Sequence, residues 1–212
     1  TPKAASSRAS AARFTIAGMK WLVLLMIALP GAVVPLTEPQ QIALEDSDDL
    51  SSTIDAAGLY ALLENVKQWS PVPTELEPGQ RLIDFAALRA SPAQARGEAW
   101  VIEGALESVA NASLYTPNRL LTRPEWKDLQ VWHIRGPNNE IYLACLTDPP
   151  AVVMGKTIGD HRIPADDTPP VRVVGRFYKL IAVANQDGQT MRYAVFVGKT
   201  GRLMDLPARQ AG

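Results

Sequence analysis

The longest apolar run in the chain lies near its start. From Trp21 to Leu36 no residue is charged, and most are Leu, Val, Met, Ile or Ala. As a helix these sixteen residues span roughly 24 Å at about 1.5 Å per residue, a little short of a ~30 Å hydrocarbon core. Lys20 can snorkel and let Ile16 to Met19 extend the span, whereas Pro30 and Gly31 weaken its second half. Residues 19–36 are therefore expected to form a transmembrane anchor or a signal segment. Residues 37–52 carry Thr, Glu, Pro, Gln, Asp and Ser with few large apolar groups, the pattern of a flexible acidic linker.

Residues 53–97 read as a helical lead-in. Leu59, Leu62, Leu63, Val66 and Trp69 follow a 3.6-residue period, which predicts one amphipathic helix over 53–69. Ser52-x-x-Asp55 has the form of a capping box and Ser70-Pro71 a stop. Phe85 to Leu88 predicts a helical turn after Asp84. Ser91-Pro92 opens a second turn that Gly97 ends.

After Gly97 the texture turns to strand. Ala99 to Val109 is rich in β-formers around Gly104, a position where a strand can bend strongly. Leu129 to Arg135 and Ile141 to Leu146 predict a hairpin about the turn Gly136-Pro137-Asn138-Asn139. Residues 151–170 have no clear period. Val171 to Ala184, with Gly175 inside it, and Met191 to Gly198 predict a last pair joined by Asn185-Gln186-Asp187-Gly188. The chain from Thr200 is expected to be loosely held, with residues 206–212 as a tail. Five strands, a glycine bend in the first, a hairpin between the second and third and a long connection before the fourth follow the order of an OB-like β-barrel over 98–205. The expected fold class is mainly β with accessory helices (α+β), an N-terminal transmembrane helix preceding the barrel.

Charge decides which side of a membrane the domain faces. Lys3, Arg8, Arg13 and Lys20 precede or open the apolar run, and Glu38 to Glu64 holds seven acids and no base. The basic flank stays in the cytoplasm, so the domain is expected in the periplasm or outside, on a single-pass inner-membrane protein. Secretion after cleavage is the alternative, although around Pro30 to Pro35 the pattern of small residues at −3 and −1 that a cleavage site wants is poor. Met19-Lys20-Trp21-Leu22 has the form of a translation start, which would leave residues 1–18 as a basic segment upstream of it. The 212-residue chain has a net charge of −1, and residues 98–212 hold 13 bases against 12 acids. That balance, with the exported location, weighs against nucleic acid as a partner.

The residues Phe85-x-x-Leu88, Ser91-Pro92, Arg96-Gly97, Val101 and Gly104 resemble the lead-in to small bacterial OB-fold domains of the tRNA-anticodon-binding-like type. Val171-Arg172-Val173-Val174-Gly175-Arg176-Phe177-Tyr178-Lys179 and Tyr193-Ala194-Val195-Phe196-Val197-Gly198 resemble uncharacterised single-span envelope proteins of planctomycete-type bacteria. The resemblance implies an anchor, a short helix and a barrel over roughly 53–200. It implies no activity and no catalytic residues.

Candidate chemistry is sparse. Gly155-Lys156-Thr157 and Gly198-Lys199-Thr200 lack the upstream glycine of a phosphate loop, where Pro150 and Tyr193 stand instead. His133 and His161 with Asp160, Asp166 or Asp167 are the candidates for a zinc site or a His-dependent hydrolase, without helical ligand spacing. The acids Glu45 to Asp49 read as solvated linker. Cys145, the one cysteine, reads as a buried structural thiol. Asn111-Ala112-Ser113 fits a short glycosylation sequon.

Basic and aromatic residues interleave on the fourth strand, where Arg172, Arg176 and Tyr178 share a parity with Val174 and Leu180. With His133 and Arg135 of the second strand they form the candidate binding face; stacking on such a face could hold single-stranded nucleic acid. No cofactor is expected. Anchored OB-fold haem chaperones use a histidine and a tyrosine in the C-terminal tail, and the tail after Thr200 has neither. The leading expectation is a non-enzymatic envelope module that binds another envelope protein or serves in assembly. A small-ligand or cofactor-binding domain is the alternative.

Overall fold

The computed structural model describes residues 33–52, 56–70, 81–111, 126, 128–150, 161–162, 168–184 and 187–204. The fold is mainly β with a few short helices, an α+β arrangement. In chain order its elements are α1 (Glu38–Glu45), α2 (Ala56–Lys67), β1 (Arg81–Leu82), α3 (Phe85–Ala90), α4 (Pro92–Ala95), β2 (Ala99–Asn111), β3 (Gln130–Arg135), β4 (Ile141–Leu146), β5 (His161–Arg162), β6 (Pro170–Ala184) and β7 (Thr190–Leu203). The five expected strands are β2, β3, β4, β6 and β7; β1 and β5 are two-residue additions to β2.

Strand pairing returns to where it starts. β2 pairs antiparallel with β3, β3 with β4, β4 parallel with β7, β7 antiparallel with β6, and β6 antiparallel with β2. β6 runs along one edge of β2 from Ala99 to Ala105 and β3 along the opposite edge from Ala105 to Asn111, with β1 and β5 beside Trp100–Val101 and Ser108–Val109. Gly104 sits where the β6 pairing gives way to the β3 pairing. A Cβ there would collide with the carbonyl oxygen of Arg135 and stand 2.8 Å from Ile134 Cγ2.

Both faces of the sheet are buried. One carries Trp132, Ile134, Tyr142, Ala144, Val171, Val173, Phe177 and Phe196, packed with Leu88 of α3 and Ala95 of α4. The other carries Val101, Val131, Leu143, Cys145, Val174, Tyr178, Val195 and Val197, packed under Leu59, Leu62, Leu63 and Val66 of α2. The predicted apolar stripe of α2 is thus the face that docks, and each fully buried Leu or Val contributes about 1.5–3 kcal/mol. The α2 C-terminus is held too. Lys199 Nζ donates to the carbonyls of Lys67, at 3.4 Å, and Trp69, supplying positive charge where a helix ends. The Gly198-Lys199-Thr200 triplet therefore lies in a strand and serves a helix end. Its counterpart at Gly155, like the Asp55 half of the predicted capping box, lies outside the described residues.

Four expectations change. Residues 37–52, read as a flexible linker, hold α1. Thr37 N–H donates to Gln40 Oε1 at 3.0 Å, Pro39 stands in the first turn, and Leu44 is buried against α2. Asp49, read as solvated, pairs with Arg96 and accepts the Leu180 N–H at 2.8 Å. Thr200 to Leu203, read as loose tail, complete β7, with Gly201, Arg202 and Leu203 paired to Val173, Arg172 and Val171. Leu180 leaves the face its parity predicts, because a bulge between Phe177 and Lys179 inserts a residue and reverses the alternation. Leu180 joins the Trp132 side and Ile181 takes the α2 side.

Among the described residues no helix is long and apolar enough to cross a membrane. Residues 19–32 of the expected span lie outside them. Val33 to Leu36, its last four positions, are not helical; Val33, Val34 and Leu36 pack against the α2-side core.

Replacing Gly104 by Ala is expected to lower the unfolding free energy by about 1–3 kcal/mol, the usual cost of overpacking. Equilibrium urea unfolding reads this directly, and an unchanged midpoint would mean that β3 yields to the added methyl.

Candidate functional site

The five candidate residues separate into three places. Arg176 and Tyr178 lie beneath α2. Arg176 is 6% exposed. Its Nε donates to Asn65 Oδ1 at 2.9 Å, one terminal nitrogen to the Gly97 carbonyl and the other to the Val34 carbonyl at 2.5 Å. The guanidinium stands 5.6 Å from the Trp69 ring centroid, and Trp69 Nε1 donates to the same Asn65 oxygen at 3.0 Å. Asn65 Nδ2 reaches the Val34 and Pro35 carbonyls at 3.2 and 3.1 Å.

Burial draws the Arg176 pKa down to about 10, still far above neutral pH, so the group stays charged. No carboxylate pairs with it among the described residues. Its charge is met by neutral oxygens from three segments. Gly97, whose carbonyl is one of these oxygens, has a φ of +81°, and a Cβ there would stand 2.7 Å from Leu36 Cδ1. Tyr178 is fully buried beside α2, and its backbone oxygen accepts from Arg96 Nε at 3.2 Å. Both residues hold the fold together and neither presents a face to a ligand.

Arg172 stands apart. It is the register partner of Glu103 on β2, and its Nε donates to Glu103 Oε1 at 2.6 Å. The pair is half-exposed.

His133 and Arg135 meet in an open cleft of about 540 Å³ with Glu107, Ser108, Asn139, Ile141, Met191 and Tyr193. The ladder puts them there. Ser108 is the register partner of His133, and Arg135 that of Ile141. Arg135 forms an ion pair with Glu107 and donates to Asn139 Oδ1. Asn139 holds that oxygen in place from a turn with φ of +69°, a conformation Asn tolerates well. Ser108 Oγ shares a hydrogen bond with His133 Nδ1. The apolar side of the cleft runs on through Met191 to its register partner Val183; these two are 38% and 40% exposed.

Two of the five expected residues therefore converge, and the site gains neighbours that no sequence pattern names. Tyr193 and Met191 come from the far end of the chain. Glu107 and Ser108 come from the far half of the first expected strand, beyond its Gly104 bend. The cleft offers a guanidinium, a hydroxyl, an imidazole and a phenol beside an apolar side.

Among the described residues no group of three metal-ligating side chains converges. His161 lies on β5, across β2 from the β3 strand that holds His133. Asp160, Asp166 and Asp167 lie outside the described residues, as does most of the Asn111 sequon. Cys145 is buried on the α2 face, and burial pushes its thiol up to about 12. It is neutral and shielded at physiological pH. Comparison with protein-family models, curated proteins and solved structures gives no match.

Arg176→Met is expected to destabilise the protein by about 1–3 kcal/mol, the cost of leaving a buried acceptor unmet. Arg176→Lys should cost a similar amount, since one ammonium cannot serve three acceptors spread along a planar fork. Urea titration of both variants checks this; wild-type stability in the lysine variant would show that only the charge matters.

Proposed function

We propose that this chain is a non-enzymatic, membrane-tethered module of the cell envelope whose domain faces the periplasm or exterior and binds a segment of another envelope protein. The observation that carries the reading is the His133–Arg135 cleft. It joins an arginine, a histidine and a tyrosine to the exposed Met191 and Val183. Arg, Tyr and Met are enriched where proteins recognise one another, and charged groups there favour one register of approach.

The ring of β2, β3, β4, β7 and β6 is best described as an OB-like barrel. The cyclic pairing, the parallel β4–β7 contact and the glycine bend in the first strand support that description. OB-folds take ligands on the face of their second and third strands. In this chain α2 covers part of that face through Val131, Leu143 and Cys145. The cleft occupies the part that His133, Arg135 and Ile141 border.

The tether is the apolar run of residues 19–36. Its last residues, Val33, Val34 and Leu36, pack on the domain, so the domain begins directly at the end of the run. The cleft is then held close to the membrane surface, where it samples membrane neighbours at high effective concentration.

A photo-cross-linking residue at position 191, in the tagged full-length protein in its own membranes, tests the proposal. The expected result is one reproducible envelope protein in the cross-linked product, lost on combining Arg135→Glu with Tyr193→Ala. A folded, membrane-borne protein that captures nothing, or whose partner survives both substitutions, would contradict it.

A further inference from the structure

Val33 to Leu36 answer two demands at once. In the sequence they end the apolar run of residues 19–36. In the folded domain Val33, Val34 and Leu36 are partly buried against the α2-side core. Without these residues the uncharged stretch from Trp21 stops at Ala32, which as a helix reaches roughly 18 Å of a ~30 Å hydrocarbon core. Ile16 to Lys20 would add roughly 7 Å at the other end and still leave it short. A span shorter than its bilayer pulls on the residues that flank it, and a thicker bilayer pulls harder.

On the domain the segment fills a built groove. Asn65 and Arg176 are 1% and 6% exposed. Asn65 Oδ1 accepts from Trp69 Nε1 at 3.0 Å and from Arg176 Nε at 2.9 Å. That fixes the amide so that Asn65 Nδ2 donates to the Val34 and Pro35 carbonyls at 3.2 and 3.1 Å, with Gln40 Oε1 as its third acceptor at 3.3 Å. A terminal nitrogen of Arg176 shares the Val34 carbonyl. Removing the segment therefore takes two of three acceptors from Asn65 Nδ2 and one of three from the guanidinium.

On the footing of the membrane tether, we propose that Val33–Leu36 is a strap for which bilayer and domain compete. Packed on the domain, it locks α2 down over Arg176. Drawn toward the bilayer, it loosens that unit. The recognition cleft feels the change, because Ile141 and Tyr193, which line it, pack against the same buried cluster as the strap. By reciprocity, a partner seated in the cleft favours the packed strap.

The test reconstitutes the full chain in vesicles of dimyristoleoyl or dierucoyl phosphatidylcholine, whose hydrocarbon cores are thin and thick respectively. Flotation with the vesicles reports the tether, and hydrogen exchange of the floated protein reports the strap. The amides of α2 and of β6 around Arg176 should exchange together, and faster in the thick bilayer by roughly tenfold or more, the size of one lost charge-assisted contact. Inserting four leucines between Leu25 and Met26 should abolish the difference, since the lengthened run no longer draws on the strap. That insertion lies in the run, ahead of the domain. A protein that does not float would overturn the tether and the strap together. One that floats but exchanges equally in both bilayers, or whose difference survives the insertion, would overturn the strap alone.

Discussion

A charged guanidinium in the interior has to be surrounded by acceptors, and the placement of the helices follows from how Arg176 finds them. Its three donating positions are answered by Asn65 of α2, by Gly97 at the start of β2 and by Val34 near the start of the described chain. No carboxylate among the described residues supplies the attraction, so the contacts depend on geometry more than on charge balance. A planar fork with fixed donor directions suits that task, and a lysine does not. Through Arg176 the helix layer and the sheet become one structure: α2 cannot leave the sheet without giving up the Asn65 hydrogen bond and the Trp69 contact to the guanidinium.

The same interaction sorts the surface into what is structural and what is open. α2 packs on β7 and β6 and shares one buried cluster with Val131, Cys145 and Val197. The cluster of His133, Arg135 and Tyr193 borders it. On the other face of the sheet, α3 and α4 pack on the core through Leu88 and Ala95 and leave a cleft bordered by Trp100. The open clefts thus have walls fixed by packing that serves the fold, and groups carried on strands are held more firmly than groups carried on loops.

Much of this architecture is legible in the residues. The apolar stripe of α2 names its docking face, the strand runs give five of the strands, and Gly104 marks the point where β2 changes neighbours. What is less legible is long-range. Arg176 shares a parity with Arg172 and Tyr178 and reads as part of an open binding face, since only the docking of α2 buries it. Asn65, a polar residue inside an otherwise apolar stripe, is the local sign that something polar lies beneath. α1 is hidden by its composition: one buried leucine gives no period, and the Thr37–Gln40 pairing with Pro39 is its main local signal. A bulge leaves no clear mark in sequence, so parity alone puts Leu180 on the wrong face. The cleft joins residues from β2, β3, β4 and β7, and no local pattern could have assembled it.

The most direct test of a domain unified by one buried guanidinium is native-state hydrogen exchange, resolved by element. The amides of α2 and those of β6 around Arg176 should open with the same free energy and the same denaturant dependence, as a single cooperative unit. Exchange of α2 through a much smaller opening, with β6 and β7 still protected, would contradict the claim that Arg176 binds helix layer and sheet into one structure.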